Sequence, residues 1–216
     1  MNEKQTIQDI EKISKQMMLR SKSKGHDFGH VNRTRRFALK IANSLKYDTF
    51  TTEIAALLHD IGNIIERKNH GRHSAKFAQP ILDRYQISKH DKKEILQAVR
   101  EHNRPYATTK LGKILQDADK LDAMGAIGLM RVFEFNLEKY PLYNPKKPFS
   151  SPKMHRDKKA RKYIKMDELK YVSDVVYLIL QFNSMLHFPI SKKIGKEKTR
   201  LLKDFICLGK KELSNN

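Results

Sequence analysis

Apolar residues recur along this chain at intervals of three and four, the mark of helices that bury one stripe. Ile7, Ile10, Ile13, Met17 and Met18 predict a first helix from about Gln5 to Leu19, broken by Ser21 to Gly25. A second begins near Phe28 and turns Val31, Phe37, Ala38, Ile41 and Leu45 inward. Tyr47-Asp48-Thr49 closes it and opens a third, in which Ile54, Ala55, Leu57 and Leu58 run into His59-Asp60. After Gly62 and a polar stretch from Glu66 to Asn69, the residues Ala75, Phe77, Ala78, Ile81 and Leu82 predict a fourth, bent or shortened by Pro80. Ser88, with Asp91 three positions on, fits the N-cap of a fifth, which carries Ile95, Ala98 and Val99 and ends at His102. Further helices follow over Leu111–Leu121, Ile127–Leu137, Leu169–Leu186 and Lys193–Lys211. Between Tyr140 and about Lys162, four prolines among basic and small polar residues read as a long loop, either a plain connector or a basic lid over an anionic substrate.

Nine Gly, seven Pro and no Trp in 216 residues argue against a turn-rich β sandwich, so the expected class is all-α, one domain over 1–216. Forty-four Lys and Arg against 24 Asp and Glu give a formal charge of +20. Such a field draws polyanions: nucleotides, polyphosphates, nucleic acid or anionic headgroups. The lysines are scattered, so solubility alone is the other reading. A single Cys207 excludes a disulfide framework or a cysteine zinc site. No signal-peptide or membrane-spanning stretch stands out, and a cytoplasmic protein with no membrane partner is expected. Oligomeric state is not legible.

Three segments place His and Asp where ordinary helices rarely keep them: His26-Asp27-Phe28-Gly29-His30, Leu57-Leu58-His59-Asp60-Ile61 and Asp117-Ala118-Asp119-Lys120-Leu121-Asp122. Asp60 comes at the apolar end of a helix, where an unpaired carboxylate is costly. A divalent cation shared with His59 offsets that cost; so does a backbone N–H or an arginine at a capped helix end. Asp119 and Asp122, one turn apart, share a face and repel unless a cation, a proton, Lys120 or Arg131 intervenes. Asp117, rotated by roughly 200° from Asp119, is expected to face solvent or a loop.

The order His30, His59-Asp60, Asp119 resembles the HD-domain superfamily of metal-dependent phosphohydrolases. The wording HDFGHVNR, AALLHDI, HGRHSAKFA, REHN and ILQDADKLDAMGAIGLMR is similar to bacterial HD hydrolases related to nucleoside triphosphate pyrophosphohydrolases. It extends from about Gly25 to Phe135, with a helical C-terminal extension over about 163–212. The resemblance implies an all-α HD-domain helical bundle in which His30, His59, Asp60 and Asp119 hold one divalent ion: Mn²⁺, Mg²⁺, Ni²⁺ or Fe²⁺. It implies cleavage of (deoxy)nucleoside triphosphates to monophosphate and pyrophosphate by a metal-activated water. The alternatives are an HD-type nuclease or phosphodiesterase and a non-catalytic nucleic-acid-binding protein.

Some relatives carry a Glu shortly after His-Asp that acts on the water. Here Asn63 stands in that stretch and cannot be a base, which leaves Asp122 and Glu66 as catalytic candidates, or the metal-bound hydroxide alone. Arg33 and Lys120 are candidates for balancing substrate charge. His73 and His102 are candidates for orienting substrate or, as in binuclear relatives, for a second metal. His26-Asp27 is read as a support beside His30, holding phosphate or capping the helix. His70, His90, His155 and His187 are read as surface or core residues.

Overall fold

A computed structural model describes residues 2–21, 27–66, 68–156, 164–166 (backbone only) and 169–214. His26 and residues 157–162 of the proline-rich stretch lie outside the described residues. The chain divides into two compact units, 1–119 and 120–216.

The first unit is built around a nearly apolar helix. α1 (Glu3–Met18) is capped by Asn2, whose side chain accepts from the Gln5 amide, and buries Thr6, Ile10, Ser14 and Met18 at four-residue spacing. α2 (Phe28–Ser44) is capped by Asp27, and α3 (Thr49–Leu58) by Asp48. Every residue of α3 from Ile54 to Leu58 is fully buried. Each large side chain among them contributes about 1.5–3 kcal/mol. α1, α2 and α5 pack against α3. Arg35 of α2 bridges Glu53 of α3 and Glu11 of α1, which fixes these three helices in rotation about each other.

Beyond α3 the chain tightens into a 3-10 turn (Ile61–Ile64) and then α4 (His70–Leu82). Pro80 does not cut α4 short; it lies in the last turn, where its missing N–H costs one intrahelical bond, and the helix continues to Leu82. α5 (Lys89–Glu101) starts at Ser88, which accepts from the Asp91 amide as the sequence predicts. α6 spans Lys110–Asp122. Gln116 of α6 donates to the carbonyls of Glu101 and Arg104, so the C-terminal end of α5 is satisfied by a buried side chain.

The second unit comprises α7 (Gly125–Asn136), α8 (Val172–Leu180), α9 (Phe182–Met185) and α10 (Pro189–Ser214). Gly125, at φ +75°, makes the turn into α7 in a conformation that favours glycine. Tyr143, Phe149, Phe205 and Phe133 form a chain of ring contacts, each centroid pair 5.6–6.0 Å apart. Two expectations fail here. A helix over Leu169–Leu186 breaks at Gln181 into α8 and α9. The proline-rich stretch, read as plain loop, contains β1 (Met154–Arg156), paired antiparallel with β2 (Ile164–Met166). Three-residue strands fall below the length at which alternation shows in sequence. The all-α class stands, with this one hairpin among the described residues. No helix among the described residues is long and apolar enough to cross a membrane.

Candidate metal centre

Asp60 is the hinge of the site. It follows the fully buried His59, and the turn after it closes through the Asn63 amide bonding to its carbonyl. On one side its Oδ2 faces His30 Nε2 at 3.3 Å and His59 Nε2 at 3.7 Å. On the other its Oδ1 faces His70 Nε2 at 3.2 Å and His102 Nε2 at 3.4 Å. Asp119 of α6 completes the first side, with Oδ1 3.4 Å from His30 Nε2. The Asp119 side chain is 31% exposed while that of His30 is fully covered, so the first side opens to solvent at Asp119.

The orientation of the rings decides what this cluster can hold. His59 Nδ1 donates to the Ala56 carbonyl at 2.7 Å, and His102 Nδ1 donates to the Val99 carbonyl at 2.7 Å. A ring that donates from Nδ1 turns Nε2, the atom available to a metal ion, toward Asp60. His30 Nε2 lies 3.3 Å from His59 Nε2, and His70 Nε2 lies 2.9 Å from His102 Nε2, separations that suit a hydrogen bond between neutral rings in the empty site and a shared cation in a filled one. The ligand–ligand edges of a divalent site at ordinary bond lengths are about 3.0–3.4 Å, close to the separations on both sides of Asp60. Burial is the main cause that drops the His59 pKa to about 4, aided by His102 and His30 and opposed by Asp60, so its ring is neutral and free to bind metal. Burial pushes the Asp119 carboxyl upward, but the imidazoles of His30, His59 and His102 outweigh it and hold the group below the usual range. The residues His30, His59 and Asp60, and again Asp60, His70 and His102, can hold a metal ion.

The structure thus brings together His30, His59, Asp60, Asp119 and His102 from the sequence candidates. It adds His70, which the sequence reading left as a surface or core residue. The signal available was Gly71. A Cβ there would lie 2.7 Å from Asn103 Oδ1 and 3.0 Å from the Arg100 carbonyl, so only glycine lets the start of α4 approach the end of α5 and bring His70 against His102. His73, by contrast, turns away and bonds Glu66 at 3.1 Å. Glu66 itself is 44% exposed and also accepts from Asn69, and these two bonds hold its carboxyl below the usual range. Asp122 is buried in an ion pair with Arg131 at 2.6 Å. Arg33 flanks the first turn of α2 beside Asp27, whose carboxylate accepts the His30 amide. Lys120 is half-buried on α6. Asp117, expected at solvent or a loop, is fully buried, because residues 114–118 are covered on every side of α6.

Residues 27–124 match the HD domain family. The matched segment is a little under half of the chain and contains every residue of the cluster around Asp60, whose donor set suits a divalent metal ion. The uncharacterized protein YpgQ of Bacillus subtilis is 33% identical over 128 residues, which are 56% of this chain and 62% of that protein's length. The structure of YpgQ in complex with ADP superposes with a TM-score of 0.74 at 22% identity, covering 98% of this chain and 97% of that one. An HD-superfamily hydrolase from Bacillus thuringiensis superposes with a TM-score of 0.76 at 24% identity over the whole of both chains. At these identities the solved structures speak for the fold alone.

Proposed function

We propose that this HD-domain protein is a metal-dependent phosphohydrolase acting on nucleotides, cleaving (deoxy)nucleoside triphosphates to monophosphate and pyrophosphate. The observation that carries the reading is the set of four imidazole Nε2 atoms around one buried carboxylate, with Asp119 at 31% the most exposed member of the cluster. Bound there, a divalent ion supplies Lewis acidity toward a phosphoryl oxygen and acidifies a water. His30, His59, Asp60 and Asp119 would hold it, and Asp60, His70 and His102 would hold a second. Water adds at the α-phosphorus, and the bond to the bridging oxygen breaks to release pyrophosphate. Arg33, beside Asp27 at the first turn of α2, balances the charge of the phosphates. Asp122, held by Arg131, acts as a brace for the end of α6 rather than as a base. ADP bound to YpgQ supports a nucleotide in place of another phosphate ester.

One observation favours the second reading, a nuclease or phosphodiesterase. A groove of about 540 Å³ between α4 and α5 is lined by Arg72, Lys76 and Arg100, and continues past Lys89 and Lys93. A groove with that charge tracks a phosphate backbone. A panel of divalent metals against nucleoside triphosphates and single-stranded DNA and RNA tests the choice, with Asp119→Ala as control. Pyrophosphate release from triphosphates, lost in the control, supports the first reading. Cleavage of strands without triphosphate hydrolysis replaces it by the second, and no hydrolysis of either kind sinks both.

A further inference from the structure

Asn63 is 6% exposed, and neither Oδ1 nor Nδ2 of its side chain has a hydrogen-bond partner. Thr51, Asn183 and Ser191 each leave a single buried atom unpaired among the described residues; Asn63 leaves both of its own. Buried amides are normally satisfied, because an orphaned donor and acceptor cost their full desolvation. The place of this one is specific. In a 3-10 turn side chains three apart eclipse, which gives three faces. Gly62 takes the face against α4, where a Cβ would strike the His70 carbonyl at 2.3 Å and the Ser74 amide at 2.4 Å. Ile61, fully buried, shares the second with Ile64. Asn63 shares the third with Asp60, whose carboxylate is at the centre of the histidine cluster.

We propose that Asn63 is a substrate-positioning residue, its Nδ2 donating to a phosphoryl oxygen of the bound ester and its Oδ1 accepting from a water on that phosphate. This rests on the phosphohydrolase reading. A neutral amide suits the position: it takes no proton at either atom, so it orients both partners without changing the charge beside Asp60. The amide is unpaired in the free protein because its partners arrive with the substrate.

The test uses the full chain with Asn63→Ala and the near-isosteric Asn63→Leu. Calorimetry measures binding of Mn²⁺ alone, then of inorganic phosphate and of ADP to the Mn²⁺-loaded protein, and thermal melting is followed in parallel. Both variants should keep the Mn²⁺ affinity, melt at or above the wild-type temperature, and bind phosphate and ADP about tenfold more weakly, the loss of one hydrogen bond to a charged group. Unchanged phosphate and ADP binding overturns the proposal. So does a fall in melting temperature accompanied by loss of Mn²⁺ binding, which makes the amide structural. Failure of the wild type to hydrolyse any phosphate ester sinks the phosphohydrolase reading separately, since these binding measurements need no turnover.

Discussion

The two sides of Asp60 are built differently. The Oδ2 side draws His30 from α2, His59 from the end of α3 and Asp119 from α6, so three elements meet there. The Oδ1 side draws only His70 and His102, from the start of α4 and the end of α5, which pack as neighbours. One side offers a mixed N/O set with a second carboxylate; the other offers two imidazoles and shares its only carboxylate. An extra anionic ligand strengthens binding of a hard divalent ion, so the Oδ2 side should fill first and hold its ion more tightly. Asp60 makes the two sides one system, and His59 and His102 are in ring contact across it at 5.0 Å.

The largest effect should follow from Asp60→Ala, which removes a ligand from both sides at once. Hydrolysis should fall by about 10³-fold or more, the several kcal/mol a catalytic ion supplies, and bound metal should fall toward zero in elemental analysis. Substantial metal retention in this variant would break the view of Asp60 as a shared ligand. The sides separate with His59→Ala and His102→Ala. The first should cost most of the activity and the tighter-held ion; the second should remove only the weaker-held one and cost about 10–100-fold. Equal losses in the two variants would erase the distinction between the sides.

That distinction is also where the sequence was easiest and hardest to read. The Oδ2 side was legible through the resemblance, which names His30, His59, Asp60 and Asp119 together. His-Asp at the end of an apolar helix leaves a cation, a backbone N–H or an arginine open, and of the two carboxylates a turn apart Asp122 pairs with Arg131 instead. The Oδ1 side is less plain in one dimension. His70 and His73 open the same helix three residues apart, and which of them turns inward depends on α4 packing against α5, a tertiary contact. Most helix boundaries were legible because caps such as Asp27, Asp48 and Ser88 mark them. The break at Gln181 was not, since no glycine or proline stands there. Gly71→Ala sharpens the point. Its Cβ would press on Asn103 and the Arg100 carbonyl, costing about 1–3 kcal/mol, and should lower the second metal's affinity while sparing the first. Metal titration with a melting curve reads both.

Acid should act on the Oδ2 side of the metal-free protein through His59. Its pKa is about 4 when folded and 6.5 when unfolded, so between those values the unfolded chain binds a proton that the folded one refuses. Stability is therefore greatest above pH 6.5, falls as pH drops toward 4 and stops changing from this source below that, a loss of up to about 3 kcal/mol. Urea midpoints at pH 7.5 and 4.5 in chelator should show it, and His59→Gln should flatten the slope. A wild-type midpoint that does not move with pH contradicts a ring kept neutral by burial.

The smallest effect should come from the residues that lie beside the cluster without joining it. Glu66 sits seven positions before His73, accepts from both His73 and Asn69, and is largely in water. Its carboxyl is held below the usual range by those two bonds, which makes it a poorer acceptor of a proton from water than a free glutamate. An exposed pair of this kind contributes little to stability. Glu66→Gln and His73→Ala should accordingly leave kcat within about twofold and the metal content unchanged, because neither side chain faces Asp60. A drop of a hundredfold in kcat for Glu66→Gln at constant metal content would return Glu66 to the role of base and require the turn after Asp60 to close over the site during catalysis. Silence in both variants, beside the loss in His102→Ala, would draw the border of the site between His70 and His73, one turn of one helix.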